Sequence, residues 1–172
     1  VNRGMSGGMN VDANDAVRRC IADAEGLRAL VGAAPILSAW REVSAADVQG
    51  FADATGDHQW IHLDAERARR ESPFGGPIAH GFLTLSLIPA LLEASLEIRQ
   101  RMGVNYGLNR VRFTQPVPVG AKVRARIGVK EASDVDRGCL QVVWEIVIER
   151  EEREGANARP ACVAELITRH YF

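Results

Sequence analysis

Apolar residues recur two apart in the second half of this chain and three to four apart in much of the first. In "KVRARIGVK", Val123, Ala125, Ile127 and Val129 alternate with Lys122, Arg124, Arg126 and Lys130. That period predicts a strand with one buried face and one solvated basic face. Leu140, Val142, Trp144, Ile146 and Ile148 share one face of "LQVVWEIVIE", and "ACVAELITRHYF" predicts a further strand. "NYGLNRVRF", ahead of "TQPVPVG", predicts another with weaker alternation.

Helical spacing dominates before that. Val17, Cys20, Ile21, Ala24, Leu27, Leu30 and Val31 follow "DAND" and stop at Gly32 and Pro35, predicting an amphipathic N-terminal helix. Ser44 caps the amides of "AAD" with Asp47 at the third helical position, Val48, Phe51 and Ala52 face inward, and Gly56 ends the helix. Asp64 caps a second short helix through "AERARR", which "ESPFGGP" breaks. From Ile78 to Leu92 large apolar residues occupy nearly every helical face, with Thr84 and Ser86 as mild interruptions. Such a helix is expected to be buried nearly all round, with a bend at Pro89.

One strongly apolar helix followed by antiparallel strands has an economical solution, a curved sheet that wraps the helix. The expected class is therefore α+β, a hot-dog architecture with an extra N-terminal helix. Residues 1–35 would form a flexible start and that helix, and 36–172 the hot-dog domain. Exposed edge strands in such a sheet invite a second copy, so a homodimer is expected.

Composition narrows the partners. The 172 residues suit one domain, and 47% hydrophobic with 25% charged residues is globular. A formal net charge of -1 gives no reason to expect nucleic acid or an anionic membrane. No apolar run approaches the roughly 20 residues of a membrane span, and "VNRGMSGGMN" lacks the apolar core of a signal peptide. Cys20, Cys139 and Cys162 are odd in number and form no metal-ligand pattern. Reduced thiols, a cytoplasmic location and no metal are the expectations.

The chemistry concentrates in "GDHQWIHLD" and "PIAHG". Asp57 and His62 lie five apart on a predicted loop, which can bring a carboxylate and an imidazole around one water, a pair suited to acid/base work near neutral pH. Alone, such a pair is more often a cap and a surface residue. His80 and Gly81 fall at the expected start of the apolar helix, where unpaired amides would stabilise a carbonyl oxygen gaining charge. Alone, that glycine equally eases a turn. His58 is expected to be exposed, and Trp60 to shape a pocket. Arg110 and Arg112 either meet phosphates or form a solvated strand face.

"FADATGDHQWIHLDAERA", "SPFGGPIAHGFLTLSLIPAL" and "NYGLNRVRFTQPVPVG" resemble the MaoC-like dehydratases, which include the (R)-specific enoyl-CoA hydratases; the form with "GDHQWIH" and "NYGLNRVRF" is similar to the nodulation protein N-like branch. The resemblance runs from about Ser44 to the end. It implies that Asp57 and His62 hold the water and that the Gly81 amide is the oxyanion donor. Substrate contacts are then expected from Gln59, Trp60, His80 and Arg110. Gln59 and Trp60 stand where many members have Asn and Pro, which puts substrate range in question rather than reaction class. The implied reaction is reversible water addition to a trans-2-enoyl thioester, with CoA or carrier-protein pantetheine as the handle and no further cofactor. A hot-dog thioesterase and a non-catalytic acyl-thioester-binding protein are the alternatives.

Overall fold

The four segments read as strands become the four longest strands of one antiparallel sheet in a computed structural model that describes residues 18–136, 138–151 and 159–172. In chain order the elements are β1 (Arg19–Ile21), α1 (Ala24–Arg28), β2 (Ile36–Leu37), β3 (Arg41–Glu42), α2 (Ala45–Thr55), α3 (Trp60–Leu63), α4 (Ala65–Glu71), α5 (Gly81–Ser86), α6 (Ile88–Ser95), β4 (Leu96–Ile98), β5 (Met102–Phe113), β6 (Lys122–Asp136), β7 (Cys139–Arg150) and β8 (Cys162–Tyr171). The main sheet runs β2-β6-β7-β8-β5, with β3 also paired to β6.

Period 2 decides which face of that sheet is inside. Val123, Ala125 and Ile127 of β6 and Leu140, Val142, Trp144, Ile146 and Ile148 of β7 are all buried. They pack in one core with Leu83, Leu87, Ile88 and Leu91 from the helical layer. Each such side chain removed from water contributes about 1.5–3 kcal/mol, and this fixes the register, because a one-residue slip would turn the whole face outward. On the other face, Glu149 pairs with Arg124 at 2.8 Å and Arg126 at 3.5 Å.

Two expectations need correction. The N-terminal amphipathic helix is instead a strand, a turn and a short helix. Arg19–Ile21 pairs in parallel with Leu96–Ile98, and Asp23 caps α1 by accepting from the Gly26 amide. Ile21, Leu27 and Leu30 are buried as their spacing required, in the same core as the sheet. The same apolar positions are satisfied by two elements, and pairing to β4 outweighs helical propensity. Val17 and the residues before it lie outside the described part.

The central helix is not buried all round. It breaks at Leu87, with Pro89 in the first turn of α6, as the missing proline N–H requires. Leu83, Leu87, Ile88 and Leu91 face the core, but Phe82 is 68% exposed, and Pro89 and Ala90 are exposed as well. One sheet covers one side of a helix; the other side needs a different partner.

β5 explains its weak alternation. It is the edge of the sheet beyond β8, and Val104, Tyr106, Leu108 and Phe113 are all exposed large hydrophobics.

At the far end of the helix a buried polar chain is closed. His170 Nδ1–H donates to Gln100 Oε1 at 2.6 Å, the Thr168 hydroxyl donates to His170 Nε2 at 2.7 Å, and Trp144 Nε1–H donates to Thr168 at 2.7 Å. Burial pushes His170 down to about 4. The unfolded chain takes up this proton near pH 6.5, the native protein only near 4, so between those values the unfolded state binds more protons. Stability from this group is complete above about pH 6.5 and falls as pH drops toward 4, by roughly 3 kcal/mol. Urea unfolding at about pH 7.5 and about pH 4.5 is expected to show that loss, and His170→Gln to flatten it. A variant with the wild-type slope would assign the pH dependence elsewhere.

Candidate active site

The site is assembled from a helix end, a short helical turn and a helix start. Ser44 and Asp47 form a reciprocal capping box on α2, with Ser44 N–H to Asp47 Oδ2 at 2.9 Å and Asp47 N–H to Ser44 Oγ at 3.1 Å. Gly56 closes the helix in the left-handed conformation, φ 79°, where a side chain would be strained. The chain therefore leaves α2 at Asp57 with backbone free to turn.

The segment after it is not one loop. Trp60–Leu63 forms the turn α3, which puts His62 in a helix, buried to 8% exposure, while Asp57 stays exposed. Asp64 ends α3 and caps α4, accepting from Arg67 N–H at 2.9 Å.

His62 has a defined orientation. Its Nδ1 lies 2.7 Å from the Ile78 carbonyl, and since a carbonyl only accepts, Nδ1 carries the proton and Nε2 keeps its lone pair. The Ile78 strip is itself pinned, Ile78 N–H to the Ile61 carbonyl at 3.1 Å and Ala79 N–H to the Val117 carbonyl at 2.8 Å. Burial lowers the His62 pKa; the bond to Ile78 and the Asp57 charge oppose that shift, and His80 adds to it. The imidazole is thus neutral at pH 7, a base in waiting.

His80 sits at the start of α5, 2% exposed. Its Nε2–H donates to the Asp57 backbone carbonyl at 2.9 Å, and its ring lies 3.8 Å from that of His62, tilted by 31°. Phe51 of α2 packs on it with centroids 5.0 Å apart. Asp57, His62 and His80 each bring a donor atom within 4.8 Å of the others. Two imidazoles and a carboxylate also make up a metal-ligand set, so these are the residues among those described that would hold an ion if one bound.

Gly81 opens α5 in a cleft of about 370 Å³ lined also by His62, Thr84, Phe113, Gln115 and Val117. A Cβ at Gly81 would stand 2.9 Å from Cδ2 and 3.0 Å from Cγ of Phe113, so the ring occupies the space a side chain would need.

The remaining candidates scatter. Gln59 is exposed beside Asp57, and Trp60 stacks under the Arg67 guanidinium at 4.4 Å rather than lining the cleft. Arg110 borders a different cleft, with Arg126, Glu145 and Glu165. His58 is exposed as expected, its Nε2 3.2 Å from Asp53, whose hydrogen bond raises its pKa. Sequence reasoning missed Gln115, whose Oε1 is buried in the cleft with no partner. It lies in "TQPVPVG", just past the predicted strand, and a lone Gln between Thr and Pro carries no signal of burial.

Known proteins share the sequence and fold that carry these residues. The profile of the MaoC like domain matches residues 27–150. The chain is 46% identical over 134 residues to 3-hydroxyacyl-thioester dehydratase Z of Mycobacterium tuberculosis, covering 77% of this chain and 85% of that protein. It is 47% identical over 133 residues to nodulation protein N of Rhizobium leguminosarum bv. viciae, covering 76% and 80%. Among solved structures, the (R)-hydratase from A. caviae involved in PHA biosynthesis superposes with a TM-score of 0.58 at 26% identity, covering 78% and 94%. The matched span takes in α2, His62, His80, Gly81 and strands β5 to β7, and by that measure the chain belongs to the MaoC-like family, with its hot-dog fold.

Proposed function

We propose that this protein is a hydro-lyase that adds water reversibly across the double bond of a trans-2-enoyl thioester to give the (R)-3-hydroxyacyl thioester. The observation that carries the reading is the meeting of a neutral His62, with Nε2 unprotonated, and Asp57 beside the helix start at Gly81. Asp57 and His62 hold one water between them. As its oxygen adds to C3, the displaced proton passes to the dyad, which returns a proton to C2. The electron pair leaving the double bond is held transiently on the thioester oxygen, where the Gly81 amide donates to it. The overall balance is substrate plus water, which needs no redox partner.

The substrate's handle is CoA or carrier-protein pantetheine, and no other cofactor enters the proposal. An apolar trough of about 250 Å³ beside the same helix, lined by Leu85, Ile88, Pro89, Leu108 and Leu166, suits an acyl chain. The exposed edge β5 and the exposed Phe82 face support a homodimer that covers both. No helix among the described residues is long and apolar enough to cross a membrane. The free thiols Cys139 and Cys162, both buried, suit a reducing compartment, which supports a cytoplasmic setting.

Hydration of enoyl-CoAs of graded chain length, with the configuration of the product determined, tests the reading. Conversion to the (R)-3-hydroxyacyl product is expected. Release of free thiol without hydration would move the protein to the thioesterases, and acyl-CoA binding without turnover would make it a binding protein.

A further inference from the structure

The hydration reading leaves one buried group unused. The proposed reaction gives His80 no role with the attacking water or the thioester carbonyl, yet it is among the most buried of the described side chains, its Nδ1 has no hydrogen-bond partner, and it does not cap its own helix. Burying an imidazole with half its hydrogen-bonding capacity unmet is costly unless the other half does something a carbon ring cannot.

We propose, resting on that reading, that His80 is a positioning residue: its Nε2–H tethers the Asp57 carbonyl to the start of α5 and so sets the distance between the water-holding dyad and the oxyanion donor. Two features of the geometry support this. The tether ends on the backbone of Asp57, an exposed residue whose own amide and carboxylate are loosely held: Asp57 N–H to Thr55 Oγ1 and Gln59 N–H to Asp57 Oδ1 are both 3.4 Å. The tethering residue also directly precedes Gly81, so one peptide unit holds both halves of the reaction centre. The ring does a second job, backing His62 at 3.8 Å while the Ile78 carbonyl fixes its edge. Asp57 and His80 are the titratable groups that face His62; Phe51, Phe113, Gln115 and Val117, which pack around the site from α2 and the 113–117 strip, are uncharged.

The test separates donor from ring. His80→Phe keeps a flat ring and loses the N–H; His80→Gln keeps an N–H and loses the ring. With crotonyl-CoA, His80→Phe is expected to lower kcat by roughly tenfold to a hundredfold with KM within about twofold, because misplacement costs turnover more than binding. His80→Gln is expected to recover most of the loss. Independently of activity, amide hydrogen exchange at residues 57–60 should quicken by about tenfold in His80→Phe and stay near wild type in His80→Gln.

Equal losses in both variants, or unchanged exchange and kcat in His80→Phe, overturn the tether. If the Phe variant does not fold, His80→Ala against His80→Gln makes the same comparison, with equal losses again counting against it. A wild-type protein that hydrates no enoyl thioester would defeat the reaction assignment, and the exchange data would still decide the tether.

Discussion

Asp57→Asn is expected to lower kcat for hydration of an enoyl-CoA by about a thousandfold, some 4 kcal/mol of transition-state stabilisation. Asn keeps the shape and both polar positions but can neither take nor return a proton. KM should change little, because in the proposed reaction the carboxylate addresses the water rather than the acyl chain. The fold should be indifferent, since Asp57 is exposed and, among the described residues, its carboxylate accepts only a 3.4 Å contact from the Gln59 amide; a thermal midpoint within about 2 °C of wild type is expected. His62→Gln is the weaker test, because it also removes a buried 2.7 Å bond to the Ile78 carbonyl and so mixes chemistry with structure. Steady-state rates and a thermal melt on Asp57→Asn check the point. Turnover within about tenfold of wild type would remove Asp57 from the chemistry.

What the sequence made legible follows from where its constraints are local. The α2 cap, the Gly56 stop and the Asp64 cap are each decided within four residues, and all three are formed. β6 and β7 were readable because one face is wholly buried, so period 2 is enforced; β5 was weaker because an edge strand in one chain buries neither face. The N-terminal segment was misread because helical spacing also fits a strand followed by a short helix, and the pairing of Cys20 with Glu97 lies 77 positions away. The exposed side of α5 and α6 was hidden for a related reason. Apolar residues all round a helix say that it is covered everywhere, not that its own sheet does the covering. In the site, Asp57, His62 and Gly81 were legible as candidates. That His80 backs His62, and that Trp60 turns outward onto Arg67, depends on α3 being a helical turn, which no pattern in "HQWIH" announces.

Gly81→Ala is expected to lower kcat by about a hundredfold or more, close to the effect of removing an oxyanion donor elsewhere, although every backbone amide remains. Two effects oppose each other on stability. Alanine is the better helix former by about 1 kcal/mol. Against it, the new Cβ would lie 2.9–3.1 Å from three atoms of the Phe113 ring, and overpacking of that kind costs about 1–3 kcal/mol. The clash wins because of where it falls. Contact at Cγ cannot be relieved by spinning the ring about its own axis; Phe113 must change its first torsion, leaving the Phe82 ring it meets edge-on at 5.7 Å, or the start of α5 must move. Either movement displaces the amide from the place proposed for the thioester oxygen or opens the wall of the cleft. A second substitution separates these routes. If the ring is the obstacle, Phe113→Leu in the Gly81→Ala background should recover stability and part of kcat, giving a coupling energy of about 1 kcal/mol or more in the double-mutant cycle. Full additivity, with the double variant as slow as the product of the two losses, would show that a methyl group at this position blocks the substrate itself, and Phe113 would then be a bystander to the role of Gly81.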